Sequence, residues 1–88
     1  MRTIWKYELE LEHEQSIEIP APAQPLSVQV QSKAVQLWAL VNPDAPSVRH
    51  IVRIVATGQP IHGHLGEYVG TIQLDGGTLV FHVFIDRH

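Results

Sequence analysis

The sequence predicts an all-β fold, a small antiparallel barrel or sandwich of about six to seven strands that assembles as a homo-oligomer. Three observations predict it. Apolar and polar residues alternate over most of the chain, β-branched residues crowd its middle, and glycine and proline cluster between the alternating stretches. With 88 residues and 9.9 kDa, positions 1–88 are expected to form one domain. A chain this short buries only about 60% of the surface it exposes when unfolded, so its core is thin.

Trp5, Tyr7, Leu9 and Leu11 alternate with Lys6, Glu8, Glu10 and Glu12. Successive side chains leave a strand on opposite faces, so this is the pattern of a half-buried strand. After the polar His13-Glu14-Gln15, Ile17 and Ile19 continue as a short second strand. The first two segments are expected to pair as a hairpin. Pro20, Pro22 and Pro25 then interrupt regular structure, because proline fixes φ and donates no backbone hydrogen bond. Leu26, Val28 and Val30 alternate with Ser27, Gln29 and Gln31 as a third strand, with Ser32-Lys33 as the turn. Ala34–Val41 is apolar on both sides except at Gln36, so something must cover both of its faces.

Asn42–Ser47 is a loop on composition. In Val48–Thr57 the residues Val48, Ile51, Val52 and Val55 also fit helical spacing, with Ser47 as a cap and Gly58 as a stop. The β-branched content favours a strand, since branching suits a pleated surface and restricts χ1 in a helix. Gly58–Glu67 holds three glycines and a proline and reads as an irregular loop. Tyr68, Gly70, Ile72 and Leu74 alternate with Val69, Thr71 and Gln73, and Asp75-Gly76-Gly77 signals a tight turn. In the last strand Leu79, Phe81, Val83 and Ile85 face one way, and Val80, His82 and Phe84 the other. Two strands apolar on both faces exceed what one thin core can cover. Trp38 and Leu40, or Val80 and Phe84, are therefore expected to contact further copies of the chain.

The net charge is −3, and residues 1–18 carry all of it: Arg2 and Lys6 stand against Glu8, Glu10, Glu12, Glu14 and Glu18. Such a balance provides no footprint for duplex nucleic acid. No apolar run approaches the ~20 residues of a membrane helix, and the charged opening is unlike a secretory segment. Cysteine is absent, which removes disulfides, thiolate metal sites and cysteine nucleophiles.

Catalytic chemistry is poorly supported. Ser16, Ser27, Ser32 and Ser47 lie in no nucleophile elbow, and the glycine-rich tracts match neither phosphate-loop pattern. The neighbouring Glu8, Glu10 and Glu12 belong to a wet face rather than a catalytic pair. His62 and His64, with His82 as a third nitrogen, are the one set with metal-ligand character, but no carboxylate ligand is implied by the spacing and solvent-facing loop histidines are the simpler reading. No metal and no cofactor is expected, and the chain is read as a non-enzyme. A binding site is easier to assemble. Arg49 and Arg53 share a strand face about 13 Å apart at 3.3 Å per residue, and guanidinium forks suit phosphate or carboxylate. Trp38 and Tyr68 offer rings for stacking a base, and His62 and His64 can donate to anionic oxygens. Trp5 and Tyr7 offer rings as well, and for each of these aromatics, Trp5, Tyr7 and Tyr68 above all, a place in the core is the favoured reading. On this reading Arg53→Ala abolishes ligand binding and leaves the fold intact.

The opening MRTIWKYELELE, the central LWALVNPDAP, then GQPI, GEYVGTIQ and GGTLVFHVF resemble a family of small uncharacterised proteins of tailed phages and bacterial prophages. The likeness covers nearly the whole chain. Members of that family usually carry Gly-Thr-Gly-His-Pro where this chain has Ala56-Thr57-Gly58-Gln59-Pro60, so no role of that histidine transfers to Gln59. The resemblance brings no activity or catalytic residue. It implies a phage-related protein of the host cytoplasm, and two classes of function follow. The first is an oligomeric binding protein that sequesters a nucleotide second messenger of anti-phage defence, using Arg49, Arg53, His62, His64, Tyr68 and Trp38. The second is a protein–protein module, a virion or assembly component or a direct inhibitor of a host protein, with the two-sided strands as its contact surface. A nucleotide-cleaving enzyme acting through His62 or His64 is third.

Overall fold

The computed structural model describes residues 1–86; Arg87 and His88 lie outside the described residues. Seven strands follow in order: β1 (Thr3–Leu9), β2 (Glu14–Pro20), β3 (Gln24–Gln31), β4 (Ala34–Val41), β5 (Ser47–Ala56), β6 (Glu67–Leu74) and β7 (Leu79–Ile85). A short 3-10 turn at Asp75–Gly77 joins the last two. Two antiparallel sheets result, one of three strands in the order β1-β4-β3 and one of four in the order β2-β5-β7-β6. One core lies between them. Leu9, Val28, Val35, Leu37, Ala39 and Val41 of the first sheet meet Ile19, Val52, Ile54, Ile72, Val83 and Ile85 of the second. The barrel alternative is not realised, because no ladder joins the sheets into a closed ring.

Local chemistry explains the connections. Ser32 and Lys33 take φ values of 52° and 68°, the paired positive angles of a two-residue hairpin turn, and so β3 folds directly onto β4. β1 and β2, expected as a hairpin, instead lie in different sheets: β1 pairs with β4 and β2 with β5. The connection between them is a corner, pinned where the Gln15 side chain bonds both the backbone N–H and the carbonyl of Glu10 at 3.0 and 2.7 Å. Alternation identified two strands here but carried no information about their partners. The segment expected over Val48–Thr57 forms strand β5, Ser47–Ala56, as its branching predicts.

The sheets come closest where β3 crosses β6. A Cβ added at Gly70 would lie 2.9 Å from Val28 Cγ1, so only glycine permits that approach. Both strands kink beside this point, with register shifts between Pro25 and Ser27 and between Tyr68 and Gly70. Each sheet keeps an outer face. On the three-stranded sheet that face carries Ile4, Lys6 and Glu8 from β1 opposite Leu40, Trp38 and Gln36 from β4. On the four-stranded sheet it carries Arg49, Ile51 and Arg53 from β5, His82 and Phe84 from β7, and Tyr68 and Thr71 from β6. Trp38, Leu40, Val80 and Phe84, the predicted surplus, are all left half-buried. Among the described residues no helix is long and apolar enough to cross a membrane.

Candidate functional site

Antiparallel pairing places Phe84 between Arg53 and Tyr68 on the outer face of the four-stranded sheet. The Tyr68 and Phe84 rings pack tilted, with centroids 5.5 Å apart and planes at 58°. Tyr68 keeps 56% of its surface exposed. Beside the rings runs a chain of hydroxyls and imidazole. Tyr68 Oη lies 2.6 Å from Thr71 Oγ1, Thr71 Oγ1 lies 2.9 Å from His82 Nδ1, and His82 Nε2 lies 2.7 Å from Thr57 Oγ1. A neutral imidazole satisfies this chain in either direction, donating at one nitrogen and accepting at the other.

Arg53 anchors a second network. Its Nε donates to Glu14 Oε1 at 3.0 Å, and its Nη1 donates to Asp86 Oδ2 at 2.8 Å and to the Leu65 carbonyl at 3.2 Å. Asp86 in turn meets His64 Nε2 through its other oxygen at 2.6 Å. The Asp86 contact raises Arg53 above the ordinary guanidinium range. Arg53 first and His64 second hold the Asp86 carboxyl below the usual carboxylate range. The network ties together β2, β5, the Gly58–Gly66 loop and the end of β7. Gly66 lets the loop return at this point: its φ is +105°, and a Cβ there would sit 2.7 Å from the Ile85 carbonyl oxygen.

Of the six residues nominated from sequence, Arg53, His64 and Tyr68 share this region. Arg49 lies on the same face, exposed and opposite Glu18 in the register. His62 is exposed in the loop. Trp38 is on the other sheet, facing away, and cannot join them in one subunit. Sequence reasoning did not find Asp86 and Glu14 as partners of Arg53, nor Thr57 and Thr71 as partners of His82. Each link crosses between strands whose pairing had to be known first. Among the described residues no group of three or more His, Asp or Glu side chains is placed to hold a metal ion.

The outer face of the three-stranded sheet has a different character. A hollow of about 320 Å³ is lined by Ile4, Leu26, Ser27, Gln29 and Trp38. Lys6, opposite Trp38 in the register, donates to Gln31 Oε1 at 3.0 Å. Around the end of the same sheet Arg2, Ala23, Gln24, Leu40 and Asn42 line a further hollow of about 360 Å³. The sequence pattern of one family, described as a domain of unknown function (DUF7352), matches residues 1–88. No curated protein and no solved structure matches the chain.

Proposed function

The chain belongs to the DUF7352 family, a domain of unknown function, and we propose that it is a non-enzymatic interaction module that binds protein surfaces, its own copies first, through the outer face of the three-stranded sheet. One observation carries this reading. β4 already fills the core with Val35, Leu37, Ala39 and Val41, yet its opposite side adds the half-buried Trp38 to the exposed Ile4 and Leu26 around a hollow. An aromatic in an apolar hollow with polar residues at its edge is the composition of an interface centre. Taken with the likeness to phage proteins, such a module serves as an assembly component or as a cover for a host protein.

A second reading, sequestration of a nucleotide-type signal in the host cytoplasm, draws support from the grouping of Arg53, His64, Tyr68, His82 and Phe84 on the other sheet. It is the weaker of the two. Arg53 already serves two carboxylates, and Glu14, Glu18 and Asp86 on that face repel a phosphate.

Two measurements decide between them. Sedimentation of the wild type is expected to show association that Trp38→Ser weakens about 30-fold, the loss of an interface hot spot, with the far-UV spectrum unchanged. Equal association of the two proteins overturns the reading. A thermal-shift panel of cyclic nucleotides and ADP-ribose derivatives is expected to leave Tm unmoved. A ligand at a hundred times its Kd adds about 2.7 kcal/mol, roughly 10–20 °C for a chain of this size, so binding is plainly visible. A ligand released intact on heating replaces the reading with sequestration, and one released altered replaces it with an enzyme.

A further inference from the structure

We propose that β1 pairs antiparallel with β1 of a second copy, centred on Tyr7, joining two three-stranded sheets into one of six strands. β1 is an outer strand, and among the described residues β4 is the one strand it pairs with. Its register is one-to-one from Thr3↔Val41 to Leu9↔Val35, with no shift and no proline. An outer strand that is regular along its length offers a row of backbone donors and acceptors to another strand.

The other three outer strands are each blunted. β3 carries Pro25 and a register shift beside it, and β6 shifts between Tyr68 and Gly70; these two also pack against each other at Val28 and Gly70. β2 ends at Pro20, and its charged residues are both acidic, Glu14 and Glu18. β1 alone has none of these devices, and it leaves Ile4 55% and Trp5 42% exposed.

Charge selects the occupant and the register. Along the segment the basic residues come first, Arg2 and Lys6, and the acidic ones last, Glu8, Glu10 and Glu12. Two copies running antiparallel about Tyr7 place Lys6 of each opposite Glu8 of the other, twice by symmetry, and Arg2 runs toward Glu12 beyond the strand ends. A register centred on Lys6 sets lysine against lysine, and a parallel arrangement sets like on like throughout. The Tyr7 register also keeps Trp5, Tyr7 and Leu9 on the core side in both copies and sets the exposed Trp5 ring beside Leu9 of its neighbour. This contact uses the edge of the sheet rather than the Trp38 hollow, and so stands apart from the reading above. It leaves the two hollows side by side on one face of the six-stranded sheet.

The test is sedimentation velocity across micromolar concentrations in a Trp38→Ser background, where the face contact is removed. A dimer is expected. Lys6→Glu or Glu8→Lys added singly should weaken it about tenfold or more, because each sets like charges opposite at two symmetric positions. Lys6→Glu with Glu8→Lys together should restore it, since the signs oppose again. Lys6 and Glu8 are exposed, so the fold survives all three changes, as circular dichroism will show. A monomer at every concentration, a dimer indifferent to the single reversals, or a double variant as weak as the singles overturns the proposal. Failure of the hollow as an interface is read separately, from equal association of wild type and Trp38→Ser.

Discussion

Arg53→Ala separates a ligand-binding arginine from a structural one. The Arg53 side chain is only 16% exposed and holds Asp86, whose side chain is 25% exposed, at 2.8 Å. A hydrogen bond between charged groups at this depth contributes about 1.5–2 kcal/mol. The contact to Glu14 is 57% exposed on the acid side, so screening reduces it to about 0.5 kcal/mol. Truncation also leaves the Leu65 carbonyl without this donor and strips the stem from the sheet surface beside Phe84. The sum is a loss of about 2–3 kcal/mol, which lowers Tm by roughly 10–20 °C in a chain of this size. Urea unfolding followed by circular dichroism measures it directly.

The loss should also depend on pH. Asp86 has its carboxyl held low in the folded state, so its contribution is complete above the ordinary carboxylate value of about 4 and fades as pH falls through the lowered value. The gap between wild type and Arg53→Ala is therefore wide at neutral pH and narrows in strong acid. A Tm within about 3 °C of wild type at neutral pH refutes the structural role, since that shift corresponds to less than 1 kcal/mol. Arg53 then returns to the list of ligand-binding residues.

Gly66→Ala should cost about 3 kcal/mol or more, because it combines a φ of +105° with a Cβ 2.7 Å from the Ile85 carbonyl oxygen. Gly63→Ala, at φ +96° with nothing within 4 Å, should cost only about 1 kcal/mol, and equal losses in denaturant unfolding would contradict the close approach. Tyr7→Phe should leave stability unchanged or raise it by up to about 1 kcal/mol, since the buried phenol oxygen has no hydrogen-bond partner among the described residues. Burial also raises the Tyr7 pKa, so wild-type stability should fall as pH rises beyond about 10, where the unfolded phenol ionises first, and the Phe variant should lack that fall.

Much of the architecture was legible along the chain. The odd positions from Trp5 to Leu9, the two-sided Ala34–Val41 and the glycine-marked turn at Asp75–Gly77 each reflect a local rule, because a strand's period of two and a turn's positive φ are properties of consecutive residues. The same rules marked Trp38, Leu40, Val80 and Phe84 as side chains the core has no room for, and the structure leaves each of them half-buried on an outer face. The order of charges in β1, basic then acidic, is likewise written in the chain.

Pairing was not. Leu9 and Glu14 are close in sequence, yet their strands part into different sheets, because hydrogen-bonding partners are chosen by which apolar faces can be buried together. The candidate site suffered for the same reason. Arg53 and Tyr68 belong together only because β7 lies between β5 and β6, and Trp38 is excluded because β4 faces the other way. The role of Arg53 changed with its neighbours: Glu14 and Asp86, distant in sequence, turn a free cation into the centre of a salt-bridge network. Alternation by itself determined the strands and their wet and dry sides. Only the tertiary structure decided which strands touch, and with that which charges are already satisfied.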